Sequence, residues 1–389
     1  MAEILKGTPV AGKLNEETER LVEGLLERGI VPCLAIVKVG DRAEDSSYEK
    51  GAVKRCNEVG ISTLTVCCSN EEDLVRTLDV LSTDDTVHGI LLMRPLPKEM
   101  NEEEVLRHIA PQKDVDGCTE GSLAGVYAGR SLGFPPCTAE AAVEMLRFYG
   151  IPLEGKKVTI LGRSLVVGRA AAMMVLGESA TPTICHSKTK DLPSECRRAD
   201  IVISAMGRPE MITADYLGEG QTVIDVGVNW NEKKGKLTGD VDFDGCVGKV
   251  SGISPVPGGV GAVTTAVLVH HVAKAAEAFG KKEEDFFDFF QKIHTVPHAA
   301  VICYAPSLKI QGQKTHDLLP NLPDEYKNII LDYANSHSSF LLLNLESNLN
   351  ISEEDEIQKI NRIEIDEQIG GRKVAEHFLE CGCKGTTIF

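Results

Sequence analysis

The chain has 389 residues, 42% hydrophobic and 25% charged, which is enough for two packed domains and too apolar for a disordered chain. Its formal charge of −17 argues against a nucleic-acid partner, because phosphates are repelled, but leaves room for a local basic pocket. The first ten residues lack the basic patch and apolar run of a secretory signal, and no stretch reaches the roughly 18–20 apolar residues that span a bilayer.

The twelve cysteines include several inside apolar segments, such as Cys33 and Cys185, and read as reduced thiols of a cytoplasmic protein. Residues 12–29 hold Leu14, Leu21, Leu25 and Leu26 near helical spacing, which predicts an amphipathic helix. Residues 31–39 are an apolar run closed by Gly40, as in a buried strand. Ser46 or Ser47 caps a helix running to Asn57, and Gly60 ends it. A weak strand is expected at 64–68, a helix at 71–81, and a buried strand at 89–93 that Pro95 and Pro97 break. Helices and strands alternate here, which predicts a parallel sheet covered by helices.

A helix at 139–149 follows, and the pattern restarts. A strand at 157–161 leads through a turn at 162–168 into a helix ending near Val175. Further strands are expected at 181–186, 201–205 and 222–226, the rhythm of a Rossmann-type fold. Residues 265–279 predict a long apolar helix returning to the first domain. Beyond Gly280, Phe286, Phe287, Phe289 and Phe290 crowd together. A helix at 324–335, an apolar run at 340–343 and an acidic stretch at 352–356 follow, without legible chemistry.

The strongest local signal is Gly162-Arg163-Ser164-Leu165-Val166-Val167-Gly168. Such a turn offers backbone N–H groups and a helix N-terminus to a phosphate, and Arg163 adds a cation. A glycine pair alone also fits an ordinary strand–helix turn. At the end of the next strand, His186-Ser187-Lys188 stands where an NAD site carries an acid. A polar, basic end suits a 2′-phosphate and therefore NADP. Pro255-Val256-Pro257-Gly258-Gly259-Val260-Gly261 is a stiff loop that lets a flat ligand approach the backbone, or a domain-connecting turn. Asp114 and Asp116 place two carboxylates in one loop, suited to a proton or a nitrogen heterocycle; alone, the pair also reads as a turn. Asp240-Val241-Asp242-Phe243-Asp244-Gly245 starts like a calcium loop, but its twelfth position is Ser251 and not the required Glu. Cys381 and Cys383 have only His377 nearby, too few ligands for a metal site. No metal is expected.

Together these segments resemble the bifunctional methylenetetrahydrofolate dehydrogenase/methenyltetrahydrofolate cyclohydrolase family. The likeness runs through Val39-Gly40 to Gly60, Gly89-Ile90-Leu91 with Pro95-Leu96-Pro97, and Lys113 to Gly117. It continues through Pro136-Cys137-Thr138, Gly162-Arg163-Ser164, Cys185 to Thr189, Ile224 to Gly227, Gly239 to Phe243 and Pro255 to Gly261. It covers residues 1–280. The resemblance implies an α/β fold with a folate-binding catalytic domain at 1–143, a Rossmann NADP domain at 144–264 and a returning helix at 265–280. An α/β or α+β extension would fill 281–389. It implies hydride transfer from 5,10-methylenetetrahydrofolate to NADP, then hydration of the product, by a homodimer. By the same resemblance Tyr48 stacks on the folate, Asp116 holds the pterin, and Pro257, Gly258 and Gly259 line the substrate. Gly162, Arg163, Ser164, Gly168, His186, Ser187, Val228 and Thr264 serve the NADP.

Two departures matter. The family's catalytic lysine lies four residues after the tyrosine, and here that position is Ala52. Its partner glutamine lies four residues after Gly89, and here that position is Met93. Lys50 and Lys54 point roughly 160° away from Ala52 on a helix, and Arg55 about 60°. A guanidinium stays protonated and shuttles protons poorly. The expectation is a dehydrogenase whose cyclohydrolase step is weak or lost. The alternatives are a fully bifunctional enzyme using another proton-transfer residue, a non-catalytic folate- or nucleotide-binding protein whose tail docks a partner, or another two-domain Rossmann dehydrogenase.

Overall fold

The computed structural model describes residues 2–40, 43–293, 301–305, 340–344 and 361–364, with side chains for 2–40 and 49–280. It divides into two units, Met1–Gly280 and Lys281–Phe389. The chain opens with β1 (Glu3–Ile4) and α1 (Gly7–Glu27). The apolar stripe of α1 starts at Val10 and Ala11, before the leucines that signal it in sequence. Gly7 sits where a Cβ would lie 2.0 Å from the Gly259 carbonyl oxygen, so the first turn of α1 rests on the Pro–Gly loop.

Next come β2 (Cys33–Val39), α2 (Ala43–Glu58), β3 (Ser62–Cys68), α3 (Glu71–Thr83) and β4 (Gly89–Leu92). The strands form a parallel sheet in the order β3-β2-β4. β2 is central and buried on both faces, which explains its continuous apolar run. Leu34 and Ile36 pack into the core that contains Ala52, while Ala35, Val37 and Val39 join Leu74 and Leu78 of α3 on the other face. The alternation puts Lys38 on the Ala52 side. Asn70 caps α3 by accepting from Asp73 N–H at 2.9 Å.

Three helices follow: α4 (Glu102–Leu106), α5 (Glu120–Ala128) and α6 (Cys137–Phe148). The second half holds β5 (Lys157–Leu161), α7 (Ala170–Gly177), β6 (Thr181–Cys185), α8 (Leu192–Arg197), β7 (Ile201–Ser204) and β8 (Thr222–Asp225). A hairpin of β9 (Asn229–Asn231) and β10 (Lys236–Thr238), α9 (Phe243–Cys246), β11 (Gly252–Ile253) and α10 (Val260–Ile293) complete it. The second sheet is parallel throughout, in the order β1-β11-β8-β7-β5-β6. The chain leaves β5 toward β6 and then returns to β7 on the other side of β5. That reversal makes the carboxyl ends of β5 and β7 the place for a ligand. The expected helix at 265–279 in fact begins at Val260 and runs to Ile293, since no proline lies between Pro257 and Pro297 to delay or stop it.

Two aspartates hold the hairpin side of this sheet. Asp225 accepts from the N–H groups of Gly227, Asp240 and Val241 at 2.9–3.0 Å. Asp240, fully buried, accepts from Met206 N–H, Arg208 N–H, Ser204 Oγ and Asn229 Nδ2. N–H and O–H donors surround this carboxylate. Gly239 and Gly227 make the arrangement possible: added Cβ atoms would lie 1.9 Å from Asp225 Oδ2 and 2.3 Å from Asp240 Oδ1.

In the second unit β12 (Val301–Ala305), β13 (Phe340–Asn344) and β14 (Asn361–Glu364) form a parallel sheet in that order. The apolar run at 340–343 is thus a strand. The helix expected at 324–335, the acidic stretch at 352–356 and the Cys381–Cys383 pair lie outside the described residues. The phenylalanine run at 286–290 lies on α10. Among the described residues, no helix is long and apolar enough to cross a membrane.

Gly239→Ala is expected to cost about 1–3 kcal/mol by overpacking. Gly24→Ala, at an open helical position with nothing within 4 Å, is expected to be neutral or stabilising. Urea unfolding of both variants checks the contrast.

Candidate active site

The loop between α4 and α5 carries two aspartates with different work. Asp114 is fully buried. Its oxygens accept from Gly117 N–H (3.0 Å), Cys118 N–H (3.1 Å) and Thr119 N–H (2.7 Å), so it shapes the loop. Gly117 has φ +70°, and a Cβ there would lie 2.4 Å from the Pro135 backbone. Asp116 points elsewhere. Its Oδ2 accepts from Arg94 Nη2 at 3.1 Å, and its side chain is 21% exposed. Burial pushes the Asp116 carboxyl up, and Arg94 opposes that shift. The two carboxylates therefore do not form an acid–base pair.

Arg94 was not visible as a site residue in the sequence, although a charge directly after an apolar strand was a usable signal. Its Nη1 also donates to Glu102 at 3.4 Å, and Glu102 is anchored by Leu96 N–H at 3.1 Å. The Arg94 Nε is buried without a partner.

A second missed group backs the loop. His271 of α10 is 2% exposed. Its Nδ1 lies 2.8 Å from the Val115 carbonyl oxygen and its Nε2 2.7 Å from Glu140 Oε2 on α6. Both partners are acceptors, so both ring nitrogens carry protons and the ring is an imidazolium. Burial lowers the His271 pKa, but Glu140 and Val115 outweigh it and the net shift is upward. Burial raises Glu140, and His271 turns the net shift downward. Phe134 stacks on the imidazole at 4.6 Å. A histidine inside an apolar helix was the sequence signal for this pair.

On α2, Ala52 is fully buried, and Met93, just past β4, is 4% exposed; both belong to one apolar cluster. The nearby cations are directed elsewhere. Lys50 and Lys54 are exposed beside an outer groove, with Lys54 near Glu58 at 3.8 Å. Arg55 donates to Asn15 of α1 at 3.1 Å. Lys38 is a further missed residue. It is the penultimate residue of β2, beside the Met93 position, and bonds Glu49 of α2 at 3.0 Å. The backbone of Tyr48 lies in α2, and its side chain is outside the described residues.

The nucleotide signals come together at the switch point. Gly162 (φ +134°) abuts β7: a Cβ would lie 2.3 Å from the Ala205 carbonyl oxygen. At Gly168 a Cβ would meet the Gly162 oxygen at 2.2 Å, so the turn closes on itself. Ser164 caps the following π turn by accepting from Gly168 N–H, and the turn leads into α7. Arg163 and Ser164 are exposed at the mouth. Leu161 and Cys185 are register partners, so Arg163 and Ser187 leave neighbouring strand ends side by side. His186 Nδ1 accepts from Lys188 N–H, and Thr189 accepts from His186 N–H, which fixes a turn with Ser187 and Lys188 exposed. Val228 is exposed, and Thr264 is half-buried with its hydroxyl donating to Val260. A glycine-closed cradle with an arginine and no acid at the next strand end fits a dinucleotide phosphate. Pro257 and Gly258 are exposed, Gly259 is buried, and Gly7 N–H donates to Gly258.

Comparison with known proteins agrees with this division. Residues 5–116 match the tetrahydrofolate dehydrogenase/cyclohydrolase catalytic domain, and residues 136–279 match the NAD(P)-binding domain of the same family. The bifunctional protein FolD of Carboxydothermus hydrogenoformans is 48% identical over 71% of this chain and 98% of its own length. The crystal structure of the bifunctional FolD enzyme from Campylobacter jejuni superposes with a TM-score of 0.69 at 39% identity, covering 72% of this chain and 99% of that one. The Trypanosoma brucei enzyme, solved with NADP and an inhibitor, gives 0.67 at 31% identity over 71% and 98%. The chain belongs to the tetrahydrofolate dehydrogenase/cyclohydrolase family and is an enzyme of that family. Residues 136–279 form an NAD(P)-binding domain, and the family match ends before the second unit.

The His271–Glu140 pair has a signed pH dependence. The His271 contribution is full below its ordinary pKa of 6.5 and is lost as pH rises through the higher folded value. The Glu140 contribution is full above 4.5 and is lost as pH falls through its lower folded value. The stability gap between wild type and His271→Gln is therefore expected to shrink as pH rises above 6.5, measured by urea unfolding at several pH values. Glu140→Ala, which strands a buried cation, is expected to cost about 3–5 kcal/mol.

Proposed function

We propose that this enzyme oxidises 5,10-methylenetetrahydrofolate to the methenyl form with NADP, and that its cyclohydrolase step is weak or lost. The observation that carries the second half is the buried apolar pair Ala52 and Met93, at the positions where the resemblance puts the catalytic lysine and glutamine. Water attacking the methenyl carbon needs a group that takes and passes its proton. At these two positions it would meet a methyl group and a thioether. Hydride transfer asks mainly for position and orientation. NADP supplies the hydride acceptor when bound. The chain contributes the Gly162–Gly168 cradle and Arg163 for the phosphates, Ser187 and Lys188 beside the 2′-phosphate, and His186, Val228 and Thr264 along the cofactor. Asp116 holds the pterin, Tyr48 stacks on it, and the Pro257–Gly259 backbone closes the substrate side. The NADP-bound relative from Trypanosoma brucei supports the cofactor choice. The homodimer belongs to this proposal on family resemblance, and the cytoplasmic location on the reading of the cysteines as reduced thiols.

One observation favours a second reading, a bifunctional enzyme with a relocated lysine. Lys38 is 14% exposed, lies on the Ala52 side of β2 and reaches Glu49, three residues before Ala52. A non-catalytic binding protein is disfavoured, because the cradle glycines and the cation-lined strand ends are all in place.

Steady-state assays of NADPH formation and methenyl hydrolysis separate these readings. The paired variant Ala52→Lys/Met93→Gln is expected to raise hydrolysis at least about tenfold, within the range of a positioned general acid–base. Hydrolysis at family-typical rates in wild type that collapses in Lys38→Met would establish the second reading instead. Ser187→Asp is expected to raise the KM for NADP about tenfold or more while leaving that for NAD nearly unchanged, as like-charge repulsion at a phosphate requires.

A further inference from the structure

We infer that Arg94 and Asp116 together form the edge that reads the 2-amino-4-oxo side of the pterin ring, with Arg94 as a specificity-determining residue. This rests on the folate reading above and adds a residue to it. The argument starts from the bond between them. Arg94 Nη2 donates to Asp116 Oδ2 at 3.1 Å, one bond and not the two-bond fork that planar guanidinium and carboxylate groups can make. A fork would consume both carboxylate oxygens. The single bond leaves Oδ1, the second lone pair of Oδ2 and the second Nη2 proton for a ligand. Along the edge the atoms then run Oδ1, Oδ2, Nη2, which is acceptor, acceptor, donor. A 2-amino-4-oxopyrimidine presents amino N–H, ring N–H and carbonyl oxygen, which is donor, donor, acceptor. The two rows are complementary.

The guanidinium is held for this task. Nη1 is tied to Glu102, whose other oxygen is pinned by the Leu96 backbone. Arg94 and Asp116 are open to a similar degree, 22% and 21% of their side chains. Of five guanidinium N–H groups, two are used by these bonds among the described residues. A third, on Nε, is buried without an acceptor, an unmet donor that simple neutralisation of Asp116 does not explain. Against a 4-amino group the same Nη2 would face another donor, so the row rejects as well as selects.

The test is equilibrium binding to the full-length protein of two matched ligands, tetrahydrofolate and its 2,4-diamino analogue, at pH 7.5. Wild type is expected to prefer the 4-oxo ligand by about 10- to 100-fold, the range of a hydrogen bond from a charged donor. Arg94→Met is expected to abolish most of that preference while circular dichroism stays unchanged. Arg94→Gln, which keeps a neutral donor, is expected to retain an intermediate preference and serves if the methionine variant does not fold. A preference that persists unchanged in the folded variants overturns the role of Arg94 and leaves the folate reading standing. Equal affinity of wild type for the two ligands overturns the role of Arg94 as well. Failure of wild type to bind either ligand overturns the folate reading itself.

Discussion

A carboxylate taken out of water must meet N–H donors or positive charge, and this demand organises the first unit. Asp114 meets three backbone N–H groups, and the loop takes its shape from them. Asp116, two residues on, meets Arg94. Glu140 meets His271, which also grips the Val115 carbonyl between the two aspartates. The loop is therefore tied to β4 through Arg94, to α6 through Glu140 and to α10 through His271. Asp225 and Asp240 repeat the principle beneath the nucleotide half, where Gly227 and Gly239 make room for them.

One helix reaches both the Pro–Gly loop and the Asp116 loop. α10 begins at the Pro–Gly loop, carries Thr264 within its first turns, and supplies His271 to the Asp116 loop. The Pro–Gly loop in turn seats the first turn of α1. Position and orientation, which hydride transfer requires, are thus built into packed elements. The proposed loss of hydrolysis rests on Ala52 and Met93, which offer packing and no exchangeable proton.

Much of this was legible in the sequence. The alternation of helices and parallel strands was readable because β2, β4, β5, β7 and β8 are buried on both faces and read as apolar runs. The Gly162–Gly168 turn was readable because two glycines at that spacing mark a tight strand-to-helix turn, and the structure closes it on itself at Gly168. Elements of two to nine residues, such as β1, β11, the β9–β10 hairpin, α4, α5, α8 and α9, were missed because they span too few turns or pleats to show a period. Arg94, His271 and Lys38 were missed for another reason. Their partners, Asp116, Glu140 and Glu49, are 11 to 131 residues away, and only the fold brings them together. Asp114 and Asp116 looked like a pair in sequence, and three-dimensional bonding gives Asp114 to the loop backbone and Asp116 to Arg94.

The central claim is a separation of two activities that the family joins. Its most direct measurement is a single progress curve on the purified full-length protein with 5,10-methylenetetrahydrofolate and NADP, following NADPH and the methenyl product together. The account predicts that NADPH rises and the methenyl form accumulates in step with it, decaying no faster than in buffer. NADPH rising without methenyl accumulation, because the product is hydrolysed as fast as it forms, would contradict it.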